Sequence, residues 1–519
     1  MMGNGKIGGK ANEATTREPL RFSIEIENFG PLRNGELTLK PLTVLIGPNN
    51  SGKSYTAMLL HAMIHPALTG PLFRRSMRYA RGMRRRDDYP IIPFWRTDTE
   101  ALLRGFGDFS KTLGELEEGK QLAVPRTIIE KIIEGILKER FEEALSEEIS
   151  RSFACKIRDL ARIGNKTFRL RVNLETCQVV LSCRKEKTSI EDYSCKTGLS
   201  IKLQKTSSLS FPDIKFDEDG ETIIVSLGGE WAQKEVKDFY SRVWGDLLWQ
   251  ICSSKIFGNL PIQCNYLPAA RSGILQGYKA LAAAIVEKAP FVGLERIEIP
   301  TFSGIVADFI SLIISLQPRK EELYDLATKF EKELIKGEIV LHTIDKYLSE
   351  FRYSFRNTEI PLHRASSTVS ELAPLFLCLK YETIPGGALV IEEPEAHLHP
   401  DNQRILARLL VELVRRGVYV VITTHSDFLI QQLNNFILMN RIASEDRAKF
   451  GYDQIDFLKP DEVGAFLFKY DKDSEGYKIT HLEISEEDGI SQEAFLRIHQ
   501  ELYEETIGLE RGLDNRGNL

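Results

Sequence analysis

A loop bounded by two glycines is the clearest chemical signal in the sequence. The loop consists of Gly47, Pro48, Asn49, Asn50, Ser51, Gly52, Lys53 and Ser54. It fits the pattern G-x-x-x-x-G-K-[ST], in which backbone N–H groups wrap a phosphate. Lys53 would neutralise the β- and γ-phosphates and Ser54 would ligate Mg²⁺. Tyr55, which would begin the next helix, is also predicted to contact the nucleotide. The loop therefore predicts that the chain binds ATP with Mg²⁺.

Two adjacent carboxylates end an apolar run near the other end of the chain, where Ala388 to Ile391 are followed by Glu392 and Glu393. Glu392 can hold a Mg²⁺-bound water, and Glu393 can orient or deprotonate the attacking water. Acidic strand ends are common, so the pair has this meaning only together with the glycine-bounded loop. Most such sites have Asp at the first position. The longer Glu392 leaves room for a water between its carboxylate and the metal.

A histidine follows the next apolar run, in the segment Thr423-Thr424-His425-Ser426. An exposed imidazole at this strand end can reach the γ-phosphate. A lone histidine is more often an ordinary surface or core residue. The position of His425, on the strand after the acidic one, favours the functional interpretation.

Alternating strands and helices must position these residues. The apolar run Leu42 to Ile46 precedes the loop, and helical periodicity follows it over Tyr55 to His65. A predicted helix over 401–416, ended by Gly417, separates the acidic strand from the strand at 418–423. We expect an α/β fold with a parallel-sheet core, preceded by an antiparallel β-subdomain that begins with the alternation at 21–28.

The middle of the chain has mixed character. Helical patterns lie near 127–162, 232–253, 304–316 and 319–336, and strand-like alternation lies at 167–173, 177–182 and 222–227. The polar segment 184–221 is predicted to form loops or a mobile hairpin. The predicted division is a disordered tail at 1–19, the first half of a head at 20–75, an inserted helical and β lobe at 76–355, and the second half of the head at 356–519. No sustained heptad pattern predicts a long coiled coil.

Composition is that of an ordinary soluble globular protein, with 27% charged and 42% apolar residues. The net charge of −6 gives no global nucleic-acid signature. No apolar run reaches the ~18–20 residues that span a bilayer, and the N-terminal segment does not have the pattern of a secretory signal. Seven scattered cysteines without a Cys-x-x-Cys pair indicate reduced thiols, and Cys177, Cys183 and Cys195 fit no zinc template. We expect a cytoplasmic protein.

Together, the motifs resemble the ABC-type ATPase head of the RecF/SMC-like AAA ATPases, which include the OLD and Gabija ATPases. The matching segments are Glu27 to Leu32, the loop at 47–54, Ile391 to Pro400 and Ile422 to Ser426. The resemblance implies that Glu393 is the catalytic base and His425 the switch histidine. It also implies that Glu395 to His399 form the D-loop, which crosses a dimer interface.

The same family has a signature segment that contacts the γ-phosphate of the opposing subunit. The candidate is Ala365 to Glu371, in which Ser367 and Thr368 replace the usual glycines. We expect Ser366 to make the phosphate contact, with Ser370 as the second candidate. The missing glycines predict weak or partner-dependent hydrolysis. A Q-loop glutamine is not placed by the sequence.

Two further features each allow two interpretations. Arg271, in the family-like segment Tyr266 to Ser272, serves the nucleotide or braces the head. His397 and His399 are spaced like a metal pair, but they lie in the expected D-loop without an independent ligand cluster.

An arginine-rich segment contains Arg74, Arg75, Arg78, Arg81, Arg84, Arg85 and Arg86. On a helix, several of these side chains would line one face. Such a stripe suits a nucleic-acid backbone, with salt-dependent affinity, or an acidic partner surface. A solvated face is the plain alternative.

The leading hypothesis is an ATPase that dimerises through its heads on ATP. It would act with nucleic acid, or with a separately encoded nuclease or other effector, in anti-phage defence or DNA repair. The alternative is a low-turnover nucleotide-sensing scaffold that regulates a toxin or nuclease. OLD and Gabija proteins carry a Toprim nuclease after the head. Here Asp471-Lys472-Asp473 is interpreted as a hairpin turn and only 82 residues follow Ile437, so no such domain is expected.

Overall fold

The computed structural model describes residues 22–64, 117–135, 137, 142–184, 187–195, 200–206, 213–216, 222–228, 256–257, 259–277, 302–345, 348–356, 358–473 and 475–517. The predicted tail at 1–19, the arginine-rich segment Arg74 to Arg86 and the predicted helix at 232–253 lie outside these residues. Those three predictions therefore stay predictions.

The named helices are α1 (Lys53–Ile64), α2 (Arg126–Gly135), α3 (Glu142–Phe153), α4 (Gly304–Ser315), α5 (Tyr324–Leu334), α6 (Ser367–Tyr381), α7 (Pro400–Arg415), α8 (Asp427–Met439) and α9 (Glu493–Gly517). The strands are β1 (Ser23–Phe29), β2 (Leu32–Thr38), β3 (Leu42–Ile46), β4 (Gln121–Ala123), β5 (Thr167–Asn173), β6 (Cys177–Arg184), β7 (Lys187–Cys195), β8 (Ser200–Thr206), β9 (Asp213–Phe216), β10 (Thr222–Gly228), β11 (Cys264–Leu267), β12 (Glu338–Asp345), β13 (Leu348–Phe355), β14 (Thr358–Pro361), β15 (Ala388–Glu392), β16 (Tyr419–Thr424), β17 (Val463–Asp471), β18 (Gly476–Leu482), β19 (Ile484–Ser485) and β20 (Gly489–Ile490). Among the described residues, no helix has the length and apolar character that a membrane span requires.

One large sheet organises the head, in the strand order β11-β15-β16-β3-β17-β18-β2-β1-β5-β6-β7. The five strands from β11 to β17 run parallel to one another. From β2 to β7, each strand is antiparallel to its neighbour. This arrangement confirms the predicted α/β fold with a parallel core and an antiparallel N-terminal part.

The predicted inserted lobe contributes directly to this sheet. Strands β5, β6 and β7 continue the antiparallel part beyond β1, and β11 forms the opposite edge beside β15. Other strands of the same range form a four-stranded sheet, β4-β8-β10-β9, and supply β12 and β13 to a three-stranded sheet, β12-β13-β14, whose third strand follows the range. The range 76–355 is therefore in part head and in part separate sheets.

Over 184–221 the prediction of loops was wrong, because β7, β8 and β9 lie there, whereas the alternative of a hairpin holds for β7, which pairs antiparallel with β6 from Arg184 and Lys187 onward. In β8, the side chains of Ile201 and Leu203 are buried while Lys202 and Gln204 are partly exposed. A half-buried strand carries polar residues at every second position, which made the segment resemble a loop. The helix predicted over 127–162 is two helices, α2 and α3, followed by a short turn at Ile157–Leu160.

The core has two layers, one on each face of the parallel strands. Along β3, Leu45 packs into one layer, and Leu42 and Val44 pack into the other. Helix α1 covers the first face, whereas α4 to α8 contribute to the second layer. Burial on both faces explains why β3 is a continuous apolar run. Because β3, β11, β15 and β16 run parallel, their carboxyl ends meet at one edge of the sheet.

Candidate nucleotide-binding and catalytic site

The glycine-bounded loop connects β3 to α1 and encloses its own lysine. Lys53 Nζ donates hydrogen bonds to the carbonyl oxygens of Gly47 at 2.7 Å and Pro48 at 2.8 Å. Burial lowers the pKa of Lys53, and the negative charges of Glu393, Glu395 and Glu392 oppose that shift. The ammonium is thus held at the loop, facing a cluster of carboxylates.

The loop needs its glycines for conformation and for space. Gly52 has φ +102°, and a Cβ there would lie 2.9 Å from Leu32 Cδ2. At Gly47, where φ is +155°, a Cβ would lie 2.8 Å from the Phe468 carbonyl oxygen. Both positions exclude a side chain, as the sequence pattern predicts.

The loop residues fit a phosphate ligand. The Ser51 hydroxyl is buried and has no hydrogen-bond partner among the described residues. The N-terminus of α1 lies beside it, and Lys53 supplies a positive charge. Pro48, Asn49 and Asn50 are exposed. A buried hydroxyl, an ammonium and a helix N-terminus form a donor set suited to ATP phosphates.

Tyr55, predicted to contact the nucleotide, packs at the start of α1 against aromatic neighbours. Its ring centroid lies 6.2 Å from that of Phe29 and 5.2 Å from that of Phe153. The Tyr55 side chain therefore braces the loop against β1 and α3, and a nucleotide contact through its side chain stays a prediction.

The two predicted magnesium ligands lie together. Ser54 Oγ donates to Glu392 Oε2 at 3.2 Å, and the Tyr266 hydroxyl donates to Glu392 Oε1. Burial raises the pKa of Glu392, although both hydrogen bonds favour its charged form. A serine hydroxyl and a carboxylate are oxygen ligands of the kind that Mg²⁺ prefers. The side chains present therefore fit the metal.

Glu393 has a constrained backbone directly after β15. Its φ is +42°, in the left-handed region that costs a non-glycine residue on the order of 1–3 kcal/mol. The Glu393 N–H donates to the carbonyl oxygen of Thr423 at 3.0 Å and to its hydroxyl at 3.1 Å. The end of β16 thus holds the predicted base in place.

His425 lies beside that base. Its Nδ1 is 3.5 Å from Glu393 Oε1 and 4.0 Å from Glu395 Oε1. Glu395 also accepts from the Thr424 hydroxyl at 2.5 Å and from the His425 backbone N–H at 3.2 Å. Burial raises the pKa of Glu395. Sequence reasoning placed Glu395 only in the D-loop and missed this contact, which no spacing in the sequence indicates.

Arg271 makes the contacts of a brace, one of the two interpretations given above. The side chain is 1% exposed, and its Nε lies 3.0 Å from Glu371 Oε1 on α6. Its guanidinium donates to the carbonyl oxygens of Glu392 at 2.7 Å and Glu393 at 3.3 Å. Burial lowers the pKa of Arg271, and Glu371 opposes the shift. These contacts tie α6 to the acidic end of β15.

The candidate signature segment begins α6. Ser366 is exposed and caps the helix by accepting from the Val369 N–H at 3.4 Å. Ser370 is buried and donates to the Leu362 carbonyl oxygen at 3.3 Å. The second candidate, Ser370, was therefore wrong as a phosphate ligand, because its hydroxyl faces the protein interior. The Ser366 contact with a phosphate stays a prediction.

The predicted D-loop is tied to the same helix. The Thr368 hydroxyl donates to the His397 carbonyl oxygen at 3.2 Å. His399 caps α7, its Nδ1 accepting from the Asp401 N–H at 3.3 Å. Capping gives His399 a structural role, and within the described residues neither histidine belongs to a group of three possible metal ligands.

One group of three possible ligands occurs in the described chain, formed by His61, Glu148 and Asp308. Arg151 Nη2 lies 2.6 Å from a carboxylate oxygen of each acid. The guanidinium therefore bridges the two acids and balances one of their two negative charges. The cysteines Cys177 and Cys183 are free thiols in β6, and burial raises the pKa of Cys183 to about 11.

Solved structures of SMC heads are similar to the chain at low level. The SmcHead bound to the C-winged helix domain of ScpA is 10% identical, with a TM-score of 0.36, over 90% of this chain and 98% of that one. A Smc head domain with an extended coiled coil, bound to the C-terminal domain of ScpA derived from Pyrococcus furiosus, is 12% identical, with a TM-score of 0.35, over 94% and 100%. The SMC head domain from Thermotoga maritima is 10% identical, with a TM-score of 0.32, over 90% and 100%. These scores carry no argument about function.

The sequence itself gives one family match. None of the curated proteins matches the chain. Residues 22–92 and 296–430 match the family described as "AAA ATPase domain". The matched ranges contain the glycine-bounded loop, the acidic end of β15 and His425, so the family match falls on the same residues that the fold brings together.

Proposed function

We propose that the chain binds ATP with Mg²⁺ and hydrolyses it. The observation that carries the proposal is the 3.2 Å hydrogen bond from Ser54 Oγ to Glu392 Oε2, which joins two motifs 338 residues apart in the sequence. Either motif alone could occur in a protein that does not bind ATP. Their contact at the carboxyl edge of a parallel sheet is the arrangement that phosphoryl transfer requires.

Each side chain has a distinct task in this proposal. Lys53 and Ser51 hold the phosphates, and Ser54 and Glu392 hold Mg²⁺. The γ-phosphoryl group of ATP would pass to water as its bond to the β-phosphate oxygen breaks, and ADP would leave. The carboxylate of Glu393 accepts a proton from the attacking water, and His425, 3.5 Å away, orients that carboxylate.

We further propose that the active form is a homodimer. Ser366 and Ser367 are exposed at the tip of α6, and Thr368 connects that tip to the D-loop through His397. An exposed helix N-terminus suits a phosphate bound to the loop of a second copy. Two ATP molecules would then lie between the loop of one copy and Ser366 of the other.

The biological role proposed is anti-phage defence or DNA repair, with nucleic acid at Arg74 to Arg86 or a separately encoded nuclease or effector as partner. This part rests on the resemblance of the motifs alone. A second candidate is the low-turnover nucleotide-sensing scaffold, which is favoured by Ser367 and Thr368 in place of the signature glycines.

The test is ATP turnover and ATP affinity, each measured with and without DNA. Lys53→Ala should abolish binding, whereas Glu393→Gln should bind ATP and lose at least about 100-fold in turnover. Lys449→Ala, which removes an exposed ion pair with Asp446, is the control and should match the unmodified protein. Binding without measurable turnover under every condition would favour the scaffold, and absence of ATP binding would refute both functions.

A further inference from the structure

We propose that Tyr266 is a positioning residue for Glu392: its phenol anchors one carboxylate oxygen so that the other faces the magnesium position beside Ser54. The inference rests on the proposed function and deepens it. Tyr266 itself would not touch the metal.

The two oxygens of Glu392 have different partners. Oε1 accepts from the Tyr266 hydroxyl, and Oε2 accepts from Ser54 Oγ at 3.2 Å. Because Ser54 is the other predicted magnesium ligand, Oε2 is the oxygen on the metal side. Oε1 is then the oxygen held by the protein.

Tyr266 is rigidly placed for this task. It lies in β11 and pairs in register with Val390 of β15, two residues before Glu392. The side chain is 2% exposed, and its ring packs edge-on against His61 of α1, with centroids 5.4 Å apart. The phenol therefore touches elements from both halves of the site, α1 and β15, and has little freedom to turn away.

The anchor answers a problem specific to glutamate. Glu392 has one more rotatable bond than the aspartate usual at this position, so its carboxylate can adopt more orientations. A fixed donor on Oε1 selects one of them before the metal binds. Partners of this kind orient metal-binding carboxylates, and their loss typically costs ~10–100-fold in metal affinity.

The experiment compares Tyr266→Phe with the unmodified chain, using a fluorescent, non-hydrolysable ATP analogue. The analogue's affinity is measured without Mg²⁺, and Mg²⁺ is then titrated at fixed nucleotide. We expect an unchanged Mg²⁺-free affinity and a Mg²⁺ half-saturation concentration raised about 10-fold. Tyr353→Phe is the matched control, because it removes one phenol hydrogen bond, to the Ile335 carbonyl oxygen at 2.6 Å, away from the site.

A second comparison separates positioning from general damage. In a Glu392→Gln background, Tyr266→Phe should have less than a 2-fold effect on the Mg²⁺ half-saturation, because the anchored carboxylate is gone. A 10-fold effect persisting in that background would overturn the proposal, as would an unchanged half-saturation in the single variant.

Should Tyr266→Phe fail to fold, Tyr266→Met, an adaptable apolar side chain without a donor, replaces it. A half-saturation raised about 10-fold supports anchoring by the phenol, and a value within about 3-fold of the unmodified protein overturns it. Failure of the proposed function is distinguishable, because the unmodified chain would then bind no nucleotide or show no Mg²⁺ dependence.

Discussion

Replacing Arg271 with methionine removes the buried guanidinium that joins α6 to the acidic end of β15. The side chain of its ion-pair partner Glu371 is also 1% exposed, so the change leaves a buried carboxylate without its partner. Loss of one member of a buried pair typically costs about 3–5 kcal/mol. The carbonyl oxygens of Glu392 and Glu393 lose a donor as well, at about 1–3 kcal/mol for each buried unsatisfied group. These costs overlap, and we expect a total of at least about 3 kcal/mol.

Stability is measured by urea unfolding. ATP turnover is then measured without urea, at a temperature at which the variant is folded. Arg271→Met should lower the free energy of unfolding by at least about 3 kcal/mol and abolish turnover. Adding Glu371→Leu removes the orphaned charge and should restore part of the stability. Turnover should stay low in the double variant, because the carbonyl oxygens of Glu392 and Glu393 remain without their donor.

This reasoning is refuted if Arg271→Met unfolds at the same urea concentration as the unmodified protein. It is also refuted if the double variant regains turnover along with stability. Arg497→Met, which removes a surface ion pair to Glu501 on α9, is the matched control and should change stability by less than about 1 kcal/mol.

Three further outcomes follow from individual positions. Gly52→Ala should lower stability and nucleotide affinity, because its Cβ would lie 2.9 Å from Leu32. Gly417→Ala, with φ +78° and open space around the Cβ, should lower the free energy of unfolding by only about 1 kcal/mol. Thermal melts and ATP titrations measure both variants. Burial raises the pKa of Glu331 to about 7, above the ordinary 4.5, so the folded state binds a proton more tightly than the unfolded state. The Lys380 ammonium, 2.6 Å from the carboxylate, opposes this shift without cancelling it. Stability should therefore fall as pH rises from 4.5 to 7, and a pH series of urea curves in which Glu331→Gln shows the same fall would contradict this. Burial raises the pKa of the Cys378 thiol to about 12, so iodoacetamide at pH 8 should modify it only after unfolding, as measured by mass spectrometry; rapid modification of the folded protein would be the contrary result.

Local patterns predicted the parts of the fold that depend on local physics. The apolar run at Leu42 to Ile46 indicated a strand buried on both faces, and Gly417 marked the end of α7 with φ +78°. The hairpin of β17 and β18 was also expected, and it places Asp471 at a strand end beside the turn. These features follow from residue periodicity and backbone sterics, which a single sequence contains.

Pairing between distant strands was not predictable in the same way. Nothing in β11 indicates that it lies beside β15, and the addition of β5 to β1 connects residues far apart in the chain. The polar alternation of β8 was interpreted as a loop because the burying partner was unknown. Sheet membership depends on long-range contacts that the sequence does not display.

The candidate site also has a part that the sequence predicted and a part that only the tertiary structure shows. The types and spacing of Lys53, Ser54 and Glu392 indicated their chemistry, because phosphate and Mg²⁺ demand those groups. The anchoring role of Tyr266 and the acceptor role of Glu395 come only from tertiary contacts.

Sedimentation of the Glu393→Gln protein with saturating ATP and Mg²⁺ tests the composite site most directly. Without the proton acceptor, bound ATP should persist and hold two copies together, and Ser366→Arg at the tip of α6 should return that variant to a monomer without weakening ATP binding by one copy. The account predicts a dimer with ATP and a monomer without it. A Glu393→Gln protein that binds ATP yet remains monomeric at saturation would contradict a site built from two copies of the chain.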